Sequence, residues 1–130
     1  MQKIRVLVAE NHEGMRSGIV ELLGKTFQVV GAVDDGEKLV KSAIYFLPDV
    51  IVSNISIPAM DGFAARRKLM ERWGPVPFVF ISTLGREIVQ SVQPGSLVSL
   101  VYKDEIADHL GNAVAAVFIG LPYLSPYYRD

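Results

Sequence analysis

Five short runs of apolar, largely β-branched residues recur along the chain, and segments with apolar positions at helical spacing separate them. The runs are too short for buried helices and lack the alternation of a half-exposed sheet. They predict strands covered on both faces. The first is Ile4 to Ala9, interrupted only by Arg5; the others are FQVVGAV at 27–33, VIVS at 50–53, VPFVFIS at 76–82 and LVSLVY at 97–102. After the first, Met15, Ile19, Leu22 and Leu23 mark a helix over 12–24 that Gly24 stops. GEKLVKSAIYF, 36–46, predicts a helix burying Leu39, Val40, Ala43 and Ile44, and residues 61–73 predict one with Phe63 and Leu69 inward. Residues 86–93 predict a short helix ended by Pro94-Gly95. In the last helix, 104–119, Ile106, Ala107, Leu110, Ala113, Val114 and Val117 are expected to face the sheet. Strands alternating with helices in this way call for an open parallel α/β sheet with right-handed crossovers.

A chain of 130 residues builds one domain around one core. Half its residues are hydrophobic and 21% are charged, a balance that favours a packed domain over disorder. The net charge of −1 gives no electrostatic case for direct binding to nucleic acid or an anionic membrane. Without cysteine there is no disulfide, thiol catalysis or cysteine metal site. The N-terminal apolar run meets Glu10 and Asn11 too soon for a signal peptide or a membrane span, so a cytoplasmic location is the expectation.

In such a sheet, the loops after the strands share one edge, where sites form. That edge collects Glu10, Asn11 and His12, then Asn54 to Pro58, then Ser82 and Thr83, then Lys103. His12 is expected to start a helix rather than bind metal, and Asp49 and Asp61 to serve as loop and helix-cap groups.

The stretches RVLVAENHEGMRSGIVELL, PDVIVSNISIPAMDG, VPFVFIST and VYKDE, in this order, resemble the receiver domain of bacterial response regulators over residues 3 to about 120. His12, Arg16 and Gly18, with the tail AAVFIGLPYLSP, look most like the LuxR/NarL-type subfamily. The resemblance implies a flavodoxin-like, CheY-like (βα)5 doubly wound parallel sheet of strand order 2-1-3-4-5. It implies a receiver over 1–120, with 121–130 as a C-terminal tail or the start of a linker to a covalently attached LuxR-type DNA-binding domain. No helix-turn-helix follows, so the chain is either a receiver taken from a longer regulator or one that stands alone.

Ordinary members hold magnesium on two acidic residues after the first strand and phosphorylate an aspartate after the third. A hydroxyl and a lysine bind the phosphoryl oxygens. Carried over, the acidic pair falls on Glu10 and Asn11, the acceptor on Asn54 and the carbonyl ligand on Ser56. The hydroxyl falls on Ser82, the lysine on Lys103 and the aromatic switch on Leu100, with Tyr102 on the same strand face as a partial substitute. An amide oxygen is a poor nucleophile because its lone pair is delocalised, so Asn54 is not expected to accept phosphate. Magnesium is usually held by carboxylates, waters and phosphate oxygens. Glu10 is the single carboxylate of the set Glu10, Asn11 and Asn54, so neither metal nor cofactor is expected. Lys103 is expected to pair with Glu10, and Leu100 to pack rather than switch.

The outer face of the last helix begins polar, at Glu105, Asp108 and Asn112, and turns apolar at Ala115, Ala116 and Ile119. Such a stripe is either a homodimer surface or is covered by LPYLSPYY folding back. The function expected is a non-enzymatic, phosphorylation-independent signalling and dimerisation module controlling a LuxR-type transcriptional regulator. The alternatives are a small-molecule sensor using the edge pocket and an ordinary receiver carrying an engineered Asn54. A flavin enzyme would fit the fold, but no phosphate-cradling loop follows the first strand.

Overall fold

The computed structural model describes residues 2–92 and 96–129. The order is β1 (Arg5–Ala9), α1 (Glu13–Gly24), β2 (Gln28–Val33), α2 (Gly36–Phe46), β3 (Val50–Asn54), α3 (Gly62–Trp73) and β4 (Phe78–Ser82). A 3-10 helix, Arg86–Ser91, then leads to β5 (Val98–Tyr102). A 3-10 turn at Lys103–Glu105 enters α4 (Ile106–Phe118), and a last 3-10 helix covers Pro126–Tyr128. All strand pairs are parallel and the sheet order is β2-β1-β3-β4-β5, the doubly wound arrangement expected.

Alternate residues of each strand feed two cores. Leu7, Ile51, Phe78, Phe80 and Leu100 point to the side where α2 and α3 contribute Leu39 and Leu69. Val8, Val52, Val79 and Val101 point to the other, against Ile19 and Leu23 of α1 and Leu110 and Val114 of α4. Each such side chain, fully buried, contributes about 1.5–3 kcal/mol. Burial on both faces is why the strand sequences read as unbroken apolar runs.

Polar residues fix where the helices begin. The Met15 N–H donates to His12 Nδ1 at 3.2 Å, Lys38 N–H to Asp35 Oδ1 at 2.8 Å, and Ala64 N–H to Asp61 Oδ1 at 2.8 Å. Each satisfies a backbone donor that the helix itself cannot. Asp49 accepts the Arg5 N–H at 2.8 Å and so ties the loop before β3 to β1.

Three local expectations are revised. The fourth crossover is the 3-10 helix Arg86–Ser91 rather than an α-helix; its one buried residue is Ile88, and Gly85 offers no side-chain cap. The end expected for it at Pro94-Gly95 lies outside the described residues. Ile44 is 36% exposed, because the buried stripe of α2 runs through Leu39, Val40 and Ala43 and turns away one residue later. Ala107 is exposed at the margin of the α4 stripe, whose buried members are Leu110, Ala113, Val114 and Val117.

The tail does fold back, but onto the free edge of β5. The Leu100 N–H donates to Tyr123 O and the Ser125 N–H donates to Leu100 O, both at 2.9 Å, forming a parallel bridge between Leu100 and Leu124. This pairing satisfies an edge that would otherwise be open to other chains. Phe118, Ile119 and Leu121 remain exposed at 45%, 68% and 57%. Among the described residues no helix is long and apolar enough to cross a membrane.

Candidate functional site

The C-terminal ends of β1 and β3 are neighbours in the sheet, pairing Ala9 with Ser53. The next residues, Glu10 and Asn54, therefore meet. Glu10 is 3% exposed. Its Oε1 accepts a hydrogen bond from Asn54 Nδ2 at 3.0 Å, and its Oε2 accepts one from the His12 N–H at 2.9 Å. Asn54 Oδ1 in turn accepts the Ser56 N–H at 3.2 Å, and Arg16 Nη1 donates to the Glu10 carbonyl at 3.0 Å. The result is a closed polar network in which each carboxylate oxygen and both ends of the amide have a partner. Asn11 and Ser56 lie at its exposed rim.

Lys103 does not join it. The expected pair with Glu10 is absent: Lys103 is exposed, and the one ion pair among the described residues is Lys38 with Asp34 at 2.8 Å. Two uncharged donors, an amide and a backbone N–H, already serve the Glu10 carboxylate and leave the lysine in water. Ser82 is also turned inward. Only 2% exposed, its Oγ accepts the Leu84 N–H at 2.9 Å and makes a local turn, whereas Thr83 is exposed.

Leu100 is fully buried and packs in the core. Tyr102 stacks on Tyr127 of the tail with ring centroids 3.9 Å apart, and the Arg86 guanidinium lies 4.5 Å above the Tyr127 ring. The Tyr102 N–H donates to Ser125 Oγ at 2.9 Å, and the Tyr127 N–H to Glu105 Oε1 at 3.0 Å. Burial alone would raise the Glu105 carboxyl; hydrogen bonds from Ser125 and the Tyr127 N–H outweigh it and hold the group below its ordinary value. The Tyr128 hydroxyl donates to Leu84 O at 2.9 Å, and burial pushes that phenol upward. The tail thus ties the loop after β4 to the end of β5. Sequence reasoning found Tyr102 but not its partner. The available signal was Ser125-Pro126, a hydroxyl followed by a residue suited to the first turn of a 3-10 helix.

Residues 6–115 match the family model described as the response regulator receiver domain. The chain is 31% identical over 127 residues to the response regulator GacA of Pseudomonas viridiflava, covering 95% of this chain and 59% of that protein. It is also 31% identical over 127 residues to the transcriptional regulatory protein DegU of Brevibacillus brevis, covering 95% and 54%. It therefore spans less than two thirds of the length of either relative. In structure it is similar to the signal receiver domain of the response regulator NarL from Mycobacterium tuberculosis, with a TM-score of 0.82 at 27% identity over 92% of this chain and 99% of that one. With the family match running from β1 into α4, the chain belongs to the response regulator receiver domain family.

Proposed function

We propose that this domain is an atypical receiver that signals without being phosphorylated, by contact between proteins, for a LuxR-type transcriptional regulator. The observation that carries this reading is the 3.0 Å bond from Asn54 Nδ2 to Glu10. At the acceptor position the side chain donates to the Glu10 carboxylate instead of presenting a nucleophilic oxygen. The magnesium that the family implies does not fit these residues. That ion asks for near-octahedral oxygen ligands at about 2.0–2.1 Å, usually including carboxylates. Here the single carboxylate has both oxygens occupied by donors, and its companions Asn11 and Asn54 are neutral.

Without phosphate chemistry, the output depends on assembly. The apolar end of α4, with Ala115 exposed, Ala116 half-buried and Ile119 exposed just past the last turn, supports a two-fold homodimer that would bring two C-terminal tails together. DegU is a transcriptional regulatory protein longer than this chain, which agrees with an attached output domain.

Two measurements test the reading. With acetyl phosphate and magnesium, the intact mass should not change; a stoichiometric phosphoryl adduct would overturn it. In sedimentation, the wild type should dimerise with rising concentration and Ile119→Glu should stay monomeric with its fold intact. A monomeric wild type, or an equally dimeric variant, would show that the surface is wrong.

A further inference from the structure

The short fourth crossover leaves the sheet face above β4 and β5 thinly covered. In that region the 3-10 helix Arg86–Ser91 buries only Ile88, and Tyr128 of the tail packs into the same core. An open cleft of about 670 Å³ lies between α3 and the chain that leads into β5. Its apolar walls include Phe63 and Met70 of α3, Phe80 of β4, and Val92 and Val98. The volume lies within the range of small-molecule sites, about 300–1,000 Å³.

Among the described residues, neither cation that lines it, Arg66 or Arg67, has an ion-pair partner. Arg66 lines the cavity, and its Nε is shielded from solvent and bonded to nothing. Burial pulls this guanidinium below its ordinary value, yet an arginine stays charged in proteins. A charged donor held out of water without an acceptor is costly, and such orphans are rare in folded proteins. The surrounding field has the same sign. Along α3, GFAARRKLMERW, Arg66, Arg67, Lys68 and Arg72 face a single acidic residue, Glu71.

We propose that this cleft binds a small organic acid with an aromatic or branched apolar body, its anionic head on Arg66 and its body against Phe63 and Met70. The guanidinium fork suits a planar carboxylate, and the half-buried Phe63 ring forms the apolar wall, held from behind by the buried Phe80 ring in edge-to-face contact at 4.8 Å. None of the residues that line the cleft belongs to the Glu10–Asn54 network. A ligand there would bridge α3 to β5 and bias the scaffold between its states. That regulatory role rests on the phosphorylation-independent reading; the binding does not.

The probe is 1-naphthaleneacetate, titrated into the methyl-labelled chain by NMR beside its uncharged analogue, 1-naphthaleneacetamide. Saturable shifts are expected at Met70, Val92 and Val98, with the amide binding at least about tenfold more weakly, the worth of one charge-assisted hydrogen bond. Arg66→Gln should bring the acid down to the level of the amide, and Arg66→Lys should restore part of the difference. Four results would overturn the proposal: no shifts at the solubility limit of the acid, shifts centred on Ile119, equal binding of acid and amide by the wild type, or unchanged acid binding by Arg66→Gln. Should Arg66→Gln misfold, the acid–amide contrast in the wild type still decides. An acetyl phosphate adduct would overturn the signalling proposal and leave this result standing.

Discussion

Two regions at the C-terminal side of the sheet are held together in different ways. Around Glu10 and Asn54, a few hydrogen bonds close a small polar network, and the charged residue expected to complete it, Lys103, stays in water. Around Tyr102, the tail adds ring stacking, a cation over a ring, backbone pairing with β5 and a buried phenol. The first region gathers a single carboxylate, Glu10, with the neutral Asn54 amide and the His12 N–H as its partners. The second is built largely from buried and stacked aromatic surface, which depends little on ionic strength. If conformation is controlled here, the aromatic strap is the stronger element, and the polar network need only keep its one carboxylate hydrogen-bonded.

The largest test of that contrast is Tyr128→Ala. Tyr128 is 3% exposed, packs into the core beside β5 and the 3-10 helix Arg86–Ser91, and bonds to Leu84 O. Truncating a buried aromatic of this kind costs about 3–5 kcal/mol. Urea denaturation should show a loss of that order, and the amide signals of Leu84 and Glu105 should shift as the strap loosens. A loss below about 0.5 kcal/mol, the size of an ordinary surface change, would mean that the tail merely rests on the domain.

Next in size is Asn54→Asp, which replaces a donor 3.0 Å from Glu10 with a second carboxylate. A hydrogen bond to a charged group is lost and like charges are brought together, so stability at neutral pH should fall by about 1–3 kcal/mol. The sign with pH follows from the repulsion. The introduced carboxyl should hold its proton more tightly folded than unfolded, where its pKa is about 3.9. The penalty should therefore be absent below about pH 4 and grow as pH rises through the folded value. Phosphorylation by acetyl phosphate should stay weak, because Asn11 leaves magnesium one carboxylate short. Robust phosphorylation of this single variant would instead support an ordinary receiver in which Asn54 was engineered.

Much of the architecture was legible because it depends on residue type alone. Strands buried on both faces must be apolar throughout, so Val6 to Ala9 and Phe78 to Ile81 declare themselves. Asp61 marks a helix start because a short side-chain acceptor is needed there. The site was legible as a set of positions but not as a set of bonds. Glu10 is served in part by the backbone N–H of His12, a donor that every residue except proline carries and that no sequence pattern marks. The destination of the tail was hidden for a related reason. YLSPYY pairs through its backbone with Leu100, so its side chains do not name their partner. Arg66 looked like any other exposed cation on α3 because the cavity beside it arises from a crossover elsewhere in the chain.

The smallest effect is the most discriminating for the polar region. A lysine paired with Glu10 across the pocket would, when removed, leave a buried carboxylate uncompensated, at a cost of up to about 3–5 kcal/mol. The geometry gives a different expectation. Glu10 already accepts from Asn54 and His12, and Lys103 is exposed and outside any ion pair among the described residues. Lys103→Ala should therefore change stability by no more than about 0.5 kcal/mol, matching Lys41→Ala on the exposed face of α2. Paired thermal melts of the two variants decide the point. If Lys103→Ala melts well below Lys41→Ala, the lysine reaches the carboxylate in solution, the network is open to charge, and the contrast between the two regions collapses.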